Sequence, residues 1–361
     1  MRSGRSRIAL VALTCVVACS DDNGTGPDPD PDDGPPQCTL LTDLGTLGGT
    51  RSFASGINEA GQVVGESNVA ADTAAHAFLW QDGVMTDLGT LGSSFSTATA
   101  INESGWIVGY SRIPNDVDFT VHAVLWRDGV MTDLGTLGGS QSWARDINAA
   151  GWVVGTSLAA DGTRRAVLWR DGVMTDLGTL GGLYSDAYGL NDAGDVVGVS
   201  TLSGDLTEHA FLWRGGTMMD LGAAGGVGSA ASDINEAGQV VGSLALAGGA
   251  GARYHAFRLE NGVMTDLGTL QNDSHAAAIN VSGWVVGQST LQVPGSSIPR
   301  LTIHAVLWRG GGPLDLGALD GRERRPSAAY DINSAGLVAG MSETASGGVE
   351  NAAVWDLNCV P

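Results

Sequence analysis

A short repeat organises almost the whole sequence. The tripeptide Asp-Leu-Gly begins at positions 43, 87, 133, 176, 220, 266 and 315, at spacings of 44, 46, 43, 44, 46 and 49 residues. At positions 43, 133 and 176 it extends to "DLGTLGG". A repeat of this length is one supersecondary unit that buries its apolar faces by stacking on its neighbours, so the period determines the fold. Seven copies fill residues 38–361.

Each repeat divides into four short apolar segments separated by turn signals. The first segment leads into Asn-x-x-Gly, whose Asn and Gly suit the first and fourth positions of a type I turn. Segments such as "QVVGES" and "HAFLW" follow, and "QDG", "RDG" or "ENG" then predicts a hairpin into "VMTDLG". No segment has helical periodicity, and 55 glycines among 361 residues would be costly inside helices.

Four strands in about 44 residues predict an all-β fold, a seven-bladed β-propeller of four-stranded repeats. Two β-helix rungs per repeat are the alternative, because one rung has roughly half this length. The ends of the chain favour the closed ring. The opening "CTLLTDLG" is a fourth segment without the other three, whereas the last repeat contains those three and stops. We therefore predict that the N-terminal strand completes the last blade and closes the ring.

Two cysteines flank the predicted closure. Aligned to a complete repeat, Cys38 and Cys359 fall on the two sides of the third-to-fourth hairpin turn, where the chain is broken. A disulfide between them is predicted, and closing so long a loop would stabilise the fold by about 5 kcal/mol in the chain-entropy model. Two unpaired thiols are the alternative.

The N-terminal segment predicts export. In residues 1–18 three arginines precede the apolar run "IALVALTCVV", as in a signal peptide. The following "VVAC" resembles a bacterial lipobox, which predicts a lipid on Cys19 and attachment to the cell envelope, at the outer membrane or cell surface. An ordinary secretory signal is the alternative. Residues 19–37 are acidic and proline-rich, which predicts a disordered tether, and the lipid is the predicted membrane attachment.

The charge of the chain excludes one class of partner. Every basic residue is Arg, and without the signal peptide 15 basic residues face 39 acidic ones, a formal charge near −24. Nonspecific nucleic-acid binding requires a basic surface, so we predict no nucleic-acid partner. We interpret the charge as a contribution to solubility and predict a monomer without a cofactor.

The repeated motifs resemble a known family. "DLGTLGG", "IN-x-x-G-x-VVG-x-S" and "HAF-x-W-x-x-G-x-M-x-DLG" are similar to the HAF repeats of extracellular bacterial proteins, across residues 38–361. The resemblance implies export but brings no established activity, cofactor or catalytic residue. The sequence departs from the pattern at Arg165 and Asn351, which replace the His, and at Leu259, which replaces the Trp.

Side chains that recur in the blades are interpreted as structural. Five histidines at one repeat position are predicted to hydrogen-bond within their own blades, because a ring separates them whereas metal ligands must converge. They are His76, His122, His209, His255 and His304. The tryptophans of the third segments are predicted to pack between blades. "DINEAG" resembles the start of a calcium loop, but Ala or Ser stands at its fifth position, so turn support is preferred and no metal site is predicted.

Recognition is expected where the repeats differ. The second-to-third connections vary in length and the last fourth-to-first connection inserts "DGRERRP", and in a propeller both emerge on one face. The candidate ligand-binding residues are arginines of that face and non-repeating side chains of the first segments: Arg300, Arg322, Arg324, Arg325, Phe53, Trp143, Arg145, Asp186, Tyr188, His275 and Tyr330. Arg binds carboxylates in a bidentate manner, although residues 322–325 can also be read as a solvated loop tip.

Two functions follow. We predict a non-catalytic, envelope-tethered binding or scaffold protein for an extracellular glycan or protein, because no nucleophile elbow, zinc-protease or P-loop signature is present. The alternative is a polysaccharide-acting enzyme of the glycosidase or lyase type. Glycoside hydrolysis needs two carboxyls about 5–10 Å apart, and Asp146, Asp186, Asp233 and Asp331 lie on the predicted innermost strands.

Overall fold

The computed structural model describes residues 40–114, 120–204, 207–247, 253–292, 301–319, 325–344 and 348–359. These residues belong to one compact unit of the chain, 38–361. The signal peptide of residues 1–18, the tether of residues 19–37 and the side chains of Cys19, Cys38, Arg300, Arg322, Arg324 and Cys359 lie outside the described residues. The lipid anchor and the disulfide therefore stay predictions.

Seven four-stranded antiparallel sheets form the ring, which confirms the seven-bladed β-propeller. The sheets are called blades 1 to 7 in chain order. Blade 1 contains β2 (Gly48–Ile57), β3 (Val63–Val69), β4 (Ala75–Gln81) and β5 (Val84–Asp87); blade 2 contains β6 (Ser96–Ile101), β7 (Ile107–Arg112), β8 (Val121–Arg127) and β9 (Val130–Asp133); blade 3 contains β10 (Gly138–Ile147), β11 (Val153–Ala159), β12 (Arg164–Arg170) and β13 (Val173–Asp176); blade 4 contains β14 (Gly181–Leu190), β15 (Val196–Leu202), β16 (Glu208–Arg214) and β17 (Thr217–Asp220). Blade 5 contains β18 (Gly228–Ile234), β19 (Val240–Leu246), β20 (Arg253–Glu260) and β21 (Val263–Asp266); blade 6 contains β22 (Ser274–Ile279), β23 (Val285–Gln292), β24 (Leu301–Trp308) and β25 (Leu314–Asp315); blade 7 contains β26 (Ser327–Ile332), β27 (Leu337–Glu343), β28 (Glu350–Asp356) and the N-terminal β1 (Leu40–Asp43). Two single-turn 3₁₀ helices, Ala70–Asp72 and Leu357–Cys359, complete the elements.

The N-terminal strand closes the ring as predicted. Strand β1 pairs antiparallel with β28, with Leu41 opposite Trp355 and Asp43 opposite Ala353. The first strand of each blade contacts the first strand of the next, including β26 of blade 7 with β2 of blade 1. The first strands therefore surround a central channel, and blade 7 packs against blade 1 to close the ring.

The turn chemistry explains the meander. Asp82 and Gly83 have φ angles of 51° and 82°, the left-handed pair that a two-residue type I′ hairpin requires. The carbonyl oxygen of Asn58 accepts a hydrogen bond from the N–H of Gly61 at 3.0 Å, which closes the predicted Asn-x-x-Gly turn. Both kinds of turn lie on one face of the ring, called the turn face. The variable connections lie on the opposite face, called the loop face.

The apolar core lies between the blades. It consists of seven separate clusters, each built from neighbouring blades; Ile57 and Phe78 of blade 1, for example, pack with Ala339 and Ala352 of blade 7. The predicted tryptophan packing is part of this core, since Trp126 donates its indole N–H to the carbonyl of Leu88 in the preceding blade at 3.0 Å. Trp169 and Trp355 make the same bond to Leu134 and Leu316.

The recurring histidines stay within their blades, as predicted. His76 Nδ1 lies 2.8 Å from Asp87 Oδ2 on the adjacent strand, and His122, His209, His255 and His304 make the equivalent contact. Where the His is replaced, Arg165 lies 3.7 Å from Asp176 and Asn351 donates to Asp43 at 2.9 Å. The Asp of every Asp-Leu-Gly therefore has a partner, including the copy contributed by the N-terminal strand.

Candidate functional site

The turn asparagines have a second role that the sequence did not reveal. The side-chain amide of Asn58 donates to the backbone carbonyl of Asn102 in the next blade, at 3.2 Å. The same bond is repeated around the ring, from Asn102 to Asn148, Asn148 to Asn191, Asn191 to Asn235, Asn235 to Asn280, Asn280 to Asn333, and Asn333 back to Asn58. These seven bonds link all the blades at the turn-face end of the channel.

Three aspartates also connect neighbouring blades, and they lie further into the channel than the ring of turn asparagines. Asp146 accepts the N–H of Ile147 on one oxygen, at 2.7 Å, and the N–H of Leu190 in the next blade on the other, at 2.9 Å. Asp233 and Asp331 make the equivalent pairs of bonds, to Ile234 and Ile279 and to Ile332 and Ile57. They bridge blades, which corrects the interpretation of these residues as support for their own turns.

Burial perturbs these carboxyls. It raises the pKa of Asp146 to about 7, with a smaller contribution from the charge of Asp233. It also raises the pKa of Asp331 to about 7 and that of Asp233 in the same direction. The backbone N–H donors act in the opposite sense but are weaker.

Within the described ranges, no three His, Cys, Asp or Glu side chains are placed to hold a metal ion.

We expect these aspartates to make stability fall with rising pH. Because the folded pKa of Asp331 is about 7 and the ordinary value is 3.8, the folded state holds a proton that the unfolded state has lost between these two values. Ionisation of the buried Asp331 carboxyl lowers the free energy of unfolding. This loss is absent below pH 4 and complete above pH 7, and between these values it grows by up to about 1.4 kcal/mol per pH unit. Urea denaturation of Asp331→Asn and the unmodified chain at pH 5 and 8 measures it. The substitution should be less damaging at pH 8; an equal loss at both pH values would contradict the prediction.

A bulge in each first strand aims one side chain at the channel. The register of every first strand shifts at the same place, for example between Ala144 and Asp146, which leaves Arg145 as the extra residue. The seven extra residues, one per blade, line a cavity of about 110 Å³: Ser55, Thr99, Arg145, Tyr188, Ser232, Ala277 and Tyr330. The three bridging aspartates line the same cavity.

A larger cavity of about 380 Å³ adjoins it towards the loop face. We call this cavity the channel mouth. It is lined by Phe53, Ser55, Glu66, Thr97, Thr99, Arg145, Tyr188 and Tyr330. Ser55, Thr99, Arg145, Tyr188 and Tyr330 also line the smaller cavity, so the two spaces are continuous. Of the predicted ligand-binding residues, the structure thus brings Phe53, Arg145, Tyr188 and Tyr330 together.

Arg145 has hydrogen-bonding capacity that the fold does not use. Its Nε is buried and has no hydrogen-bond partner among the described residues. Its guanidinium lies 6.0 Å from the ring of Tyr110, a long cation–π contact. No carboxylate of the described ranges forms an ion pair with it, whereas Arg164 pairs with Asp186 and Arg325 pairs with Glu343. A cation facing an aromatic-lined cavity in a strongly acidic protein is suited to an anionic ligand.

The remaining predicted residues on described strands lie outside the mouth lining. Asp186 is occupied by Arg164 and by the hydroxyl of Thr156, at 2.7 Å. His275 Nδ1 lies 2.9 Å from the hydroxyl of Ser243, and burial lowers the pKa of its imidazole. Trp143 is half-buried on β10. Arg325, two residues before β26, forms an ion pair with Glu343, the last residue of β27.

Sequence reasoning missed Glu66 and Thr97. Glu66 stands opposite Phe53 in the β2–β3 register, and burial raises the pKa of its carboxyl against a weaker opposing hydrogen bond from Thr97. The signal was available, because the residue between "VVG" and Ser changes from Glu66 to Tyr110, Thr156 and Val199 in successive blades. The sequence therefore contains a signal for this position, and it lies in the second strand of the blade.

The carboxylates at the axis are engaged in the scaffold. All six oxygens of Asp146, Asp233 and Asp331 accept backbone N–H groups. Asp186 is ion-paired with Arg164. Glu66 is the one carboxyl lining the mouth itself. Among the described residues, the mouth therefore lacks the pair of unengaged carboxyls that an acid and base mechanism of glycoside hydrolysis requires.

Comparison with known proteins adds little to this description. No protein-family model matches the sequence, and no curated protein matches it. Among solved structures, TolB from Acinetobacter baumannii is similar at 12% identity and a TM-score of 0.43, over 69% of this chain and 63% of TolB. An acylaminoacyl peptidase in complex with a chloromethyl ketone has a TM-score of 0.49, and an AofleA mutant from Arthrobotrys oligospora one of 0.36, both at 12% identity. These two cover 81% and 76% of this chain, and 51% and 88% of their own. We infer no activity from them.

Proposed function

We propose that this protein is an exported, lipid-anchored β-propeller of the HAF-repeat type that binds an extracellular glycan or protein at the channel mouth. The observation that carries the proposal is Arg145, a cation without an ion-pair partner in the described ranges, in a cavity walled by Phe53, Tyr188 and Tyr330. None of these four side chains follows the repeat. They add nothing that a blade needs, which supports a role in recognition.

Rigidity supports binding at this place. The mouth is built on the innermost strands, which the asparagine ring and the bridging aspartates hold to one another. Side chains fixed by such a scaffold lose little conformational entropy when a ligand arrives, so more of the contact energy becomes affinity. The loop face beside the mouth carries the variable connections, and by sequence these include Arg300, Arg322 and Arg324, which lie outside the described residues.

Binding is favoured over catalysis because the axial carboxylates are hydrogen-bonded into the frame. An acid catalyst needs a carboxyl that reaches the substrate, and the bridging aspartates direct both oxygens to backbone N–H groups. The proposed location follows from the sequence alone. The lipobox-like "VVAC" and the acidic tether of residues 19–37 support attachment through Cys19 at the bacterial cell surface or outer membrane.

The test is a binding screen with two matched variants. The chain from Ser20 to Pro361 is screened against glycans, peptidoglycan fragments and secreted proteins. For any ligand found, we expect the double substitution Phe53→Ala with Tyr330→Ala to weaken binding by about tenfold or more, because it removes two aromatic walls. Val281→Ala removes a 60% exposed apolar side chain on the turn face and should leave affinity unchanged. Equal binding by the double variant would refute the site.

A further inference from the structure

We infer that the channel mouth recognises a ring-bearing monocarboxylate, of the class of a hexuronic acid unit, with the carboxylate on Arg145 and the ring between Phe53, Tyr188 and Tyr330. This inference rests on the proposed function and names its ligand class. It follows from three features of the cavity: the geometry of its cation, the charge around that cation and the chemistry of its walls.

The cation is an arginine, which favours a planar anion. A guanidinium presents parallel N–H donors that match the two oxygens of a carboxylate, and such charge-assisted bonds are about twice as strong as neutral ones. Arg145 lines both the mouth and the inner cavity, so it borders the space a ligand would enter. Its Nε has no hydrogen-bond partner among the described residues, and none of their carboxylates forms an ion pair with its guanidinium, so a ligand carboxylate would supply a partner.

The surrounding charge limits the ligand to one negative charge. Glu66 lies at the mouth, and Asp146, Asp233 and Asp331 lie below Arg145 in the inner cavity. Arg145 is the single basic side chain among the described residues that line these two cavities. A phosphate monoester would bring a second negative charge without a second cation, and above about pH 7, where Asp146 and Asp331 ionise, their carboxylates would also repel it. A carboxylate brings one charge and one planar fork.

The walls favour a sugar ring over an extended peptide. Phe53, Tyr188 and Tyr330 offer aromatic surfaces, and burial raises the pKa of both tyrosines, so their hydroxyls stay protonated donors. Ser55 and Glu66 add polar groups between these surfaces. Apolar faces with a few convergent polar groups suit a ring that has C–H faces and hydroxyl edges. At about 380 Å³ the mouth lies in the size range of small-ligand sites.

Isothermal titration of the chain from Ser20 to Pro361 tests the inference. The probes are glucuronic acid, galacturonic acid, their methyl esters, glucose, glucose 6-phosphate and a tripeptide with a free carboxyl terminus. We expect one of the two acids to bind, and its methyl ester and glucose to bind about tenfold or more weakly, since each lacks the charge that Arg145 pairs. Glucose 6-phosphate should bind no better than glucose. Absence of uronate binding, equal binding of the ester, or tighter binding of the phosphate or peptide would overturn the inference.

Substitutions locate the binding and separate the two proposals. Arg145→Gln should remove the preference for the acid over its ester, and Arg145→Lys should keep only part of it, because Lys retains the charge without the fork. Arg253→Gln removes the same charge from an exposed position on β20 outside both cavities and should change nothing. A neutral glycan that is lost with Phe53→Ala and Tyr330→Ala but not with Arg145→Gln would refute the ligand class and keep the mouth as the site. A ligand indifferent to all of these variants would refute both.

Discussion

A chain that begins after Asp43 is expected to lose its sharp unfolding transition and to associate. Without β1 the seventh blade has three strands, and β28 becomes an open edge that can pair with another chain. Leu41 also leaves the cluster around Trp355, and Asn351 loses Asp43 as its partner. Calorimetry and size-exclusion chromatography measure the result. We expect a broad transition at a melting temperature at least about 10 °C lower, because a whole strand and its core contacts are removed.

Two controls assign the loss to the strand. A chain that begins at Cys38 lacks only the predicted tether and should unfold like the chain from Ser20. Cys38→Ser keeps the strand but removes any bond to Cys359, so it separates the effect of pairing from that of a disulfide. If the chain without β1 remained a monomer with an unchanged transition, ring closure by the N-terminus would not contribute to stability.

The period and the turn signals were sufficient to predict the blades. Each apolar segment such as "HAFLW" is too short for a stable helix and is bounded by residues such as Asp82 and Gly83, whose positive φ angles the structure confirms. The closure was also predictable, because the fragment before Asp43 matched the segment missing after Asp356. These are local or arithmetic properties of the chain, and a single sequence contains them.

The contacts between blades were not predictable in the same way. Asn58 has enough reason to be Asn in its own turn, so nothing in the sequence indicates its bond to Asn102. The role of Asp146 depends on the N–H of Leu190, 44 residues away in the neighbouring blade. To predict such hydrogen bonds one must know how closely two neighbouring sheets approach, and the sequence period does not contain that distance.

The same limit applies to the candidate site. The first strands were identified as the source of ligand contacts, but a register shift in each of these strands leaves Arg145 and Tyr188 as extra residues that line the channel cavities. Trp143 and Asp186, on the same two strands, are part of neither lining. Partners also matter: Arg325 was grouped with three loop arginines, and the structure pairs it with Glu343. A cation becomes a candidate for recognition only when its neighbours are known.

The scaffold and the site divide the sequence between them. Recurring serines form hydrogen bonds that join neighbouring blades. Ser96, for example, accepts the N–H of Ala77 in the preceding blade at 2.9 Å and donates to the carbonyl of Gly89 at 2.6 Å. Its equivalents repeat this pattern around the ring. Arg145, which does not recur, keeps an Nε without a hydrogen-bond partner among the described residues, at the axis where all seven blades meet. The repeated side chains hold the blades together, and the side chains that differ between blades are therefore the ones available to a ligand at the axis.

Gly242→Ala is expected to destabilise the ring by about 3–5 kcal/mol, because the closely packed strands cannot move apart to relieve the clash with the added methyl group. A Cβ atom at this position would lie 2.0 Å from the carbonyl oxygen of Ala230 and 2.8 Å from the Cα of Ala231, and both are backbone atoms of the adjoining strand. The Gly of "VVG" meets the same obstacle in every blade, at 1.9 or 2.0 Å: Gly65, Gly109, Gly155, Gly198, Gly287 and Gly340.

Urea unfolding midpoints of Gly242→Ala and Gly311→Ala measure this effect. Gly311 has no heavy atom within 4 Å of a built Cβ and no left-handed φ, so its substitution should change stability by less than about 0.5 kcal/mol. An unchanged midpoint for Gly242→Ala would mean that β18 and β19 separate freely. The close approach has a functional consequence, because it fixes the register just before the bulge. At Gly155 the carbonyl belongs to Trp143, two residues before Arg145, so the glycine that permits tight pairing also sets where the channel cation stands.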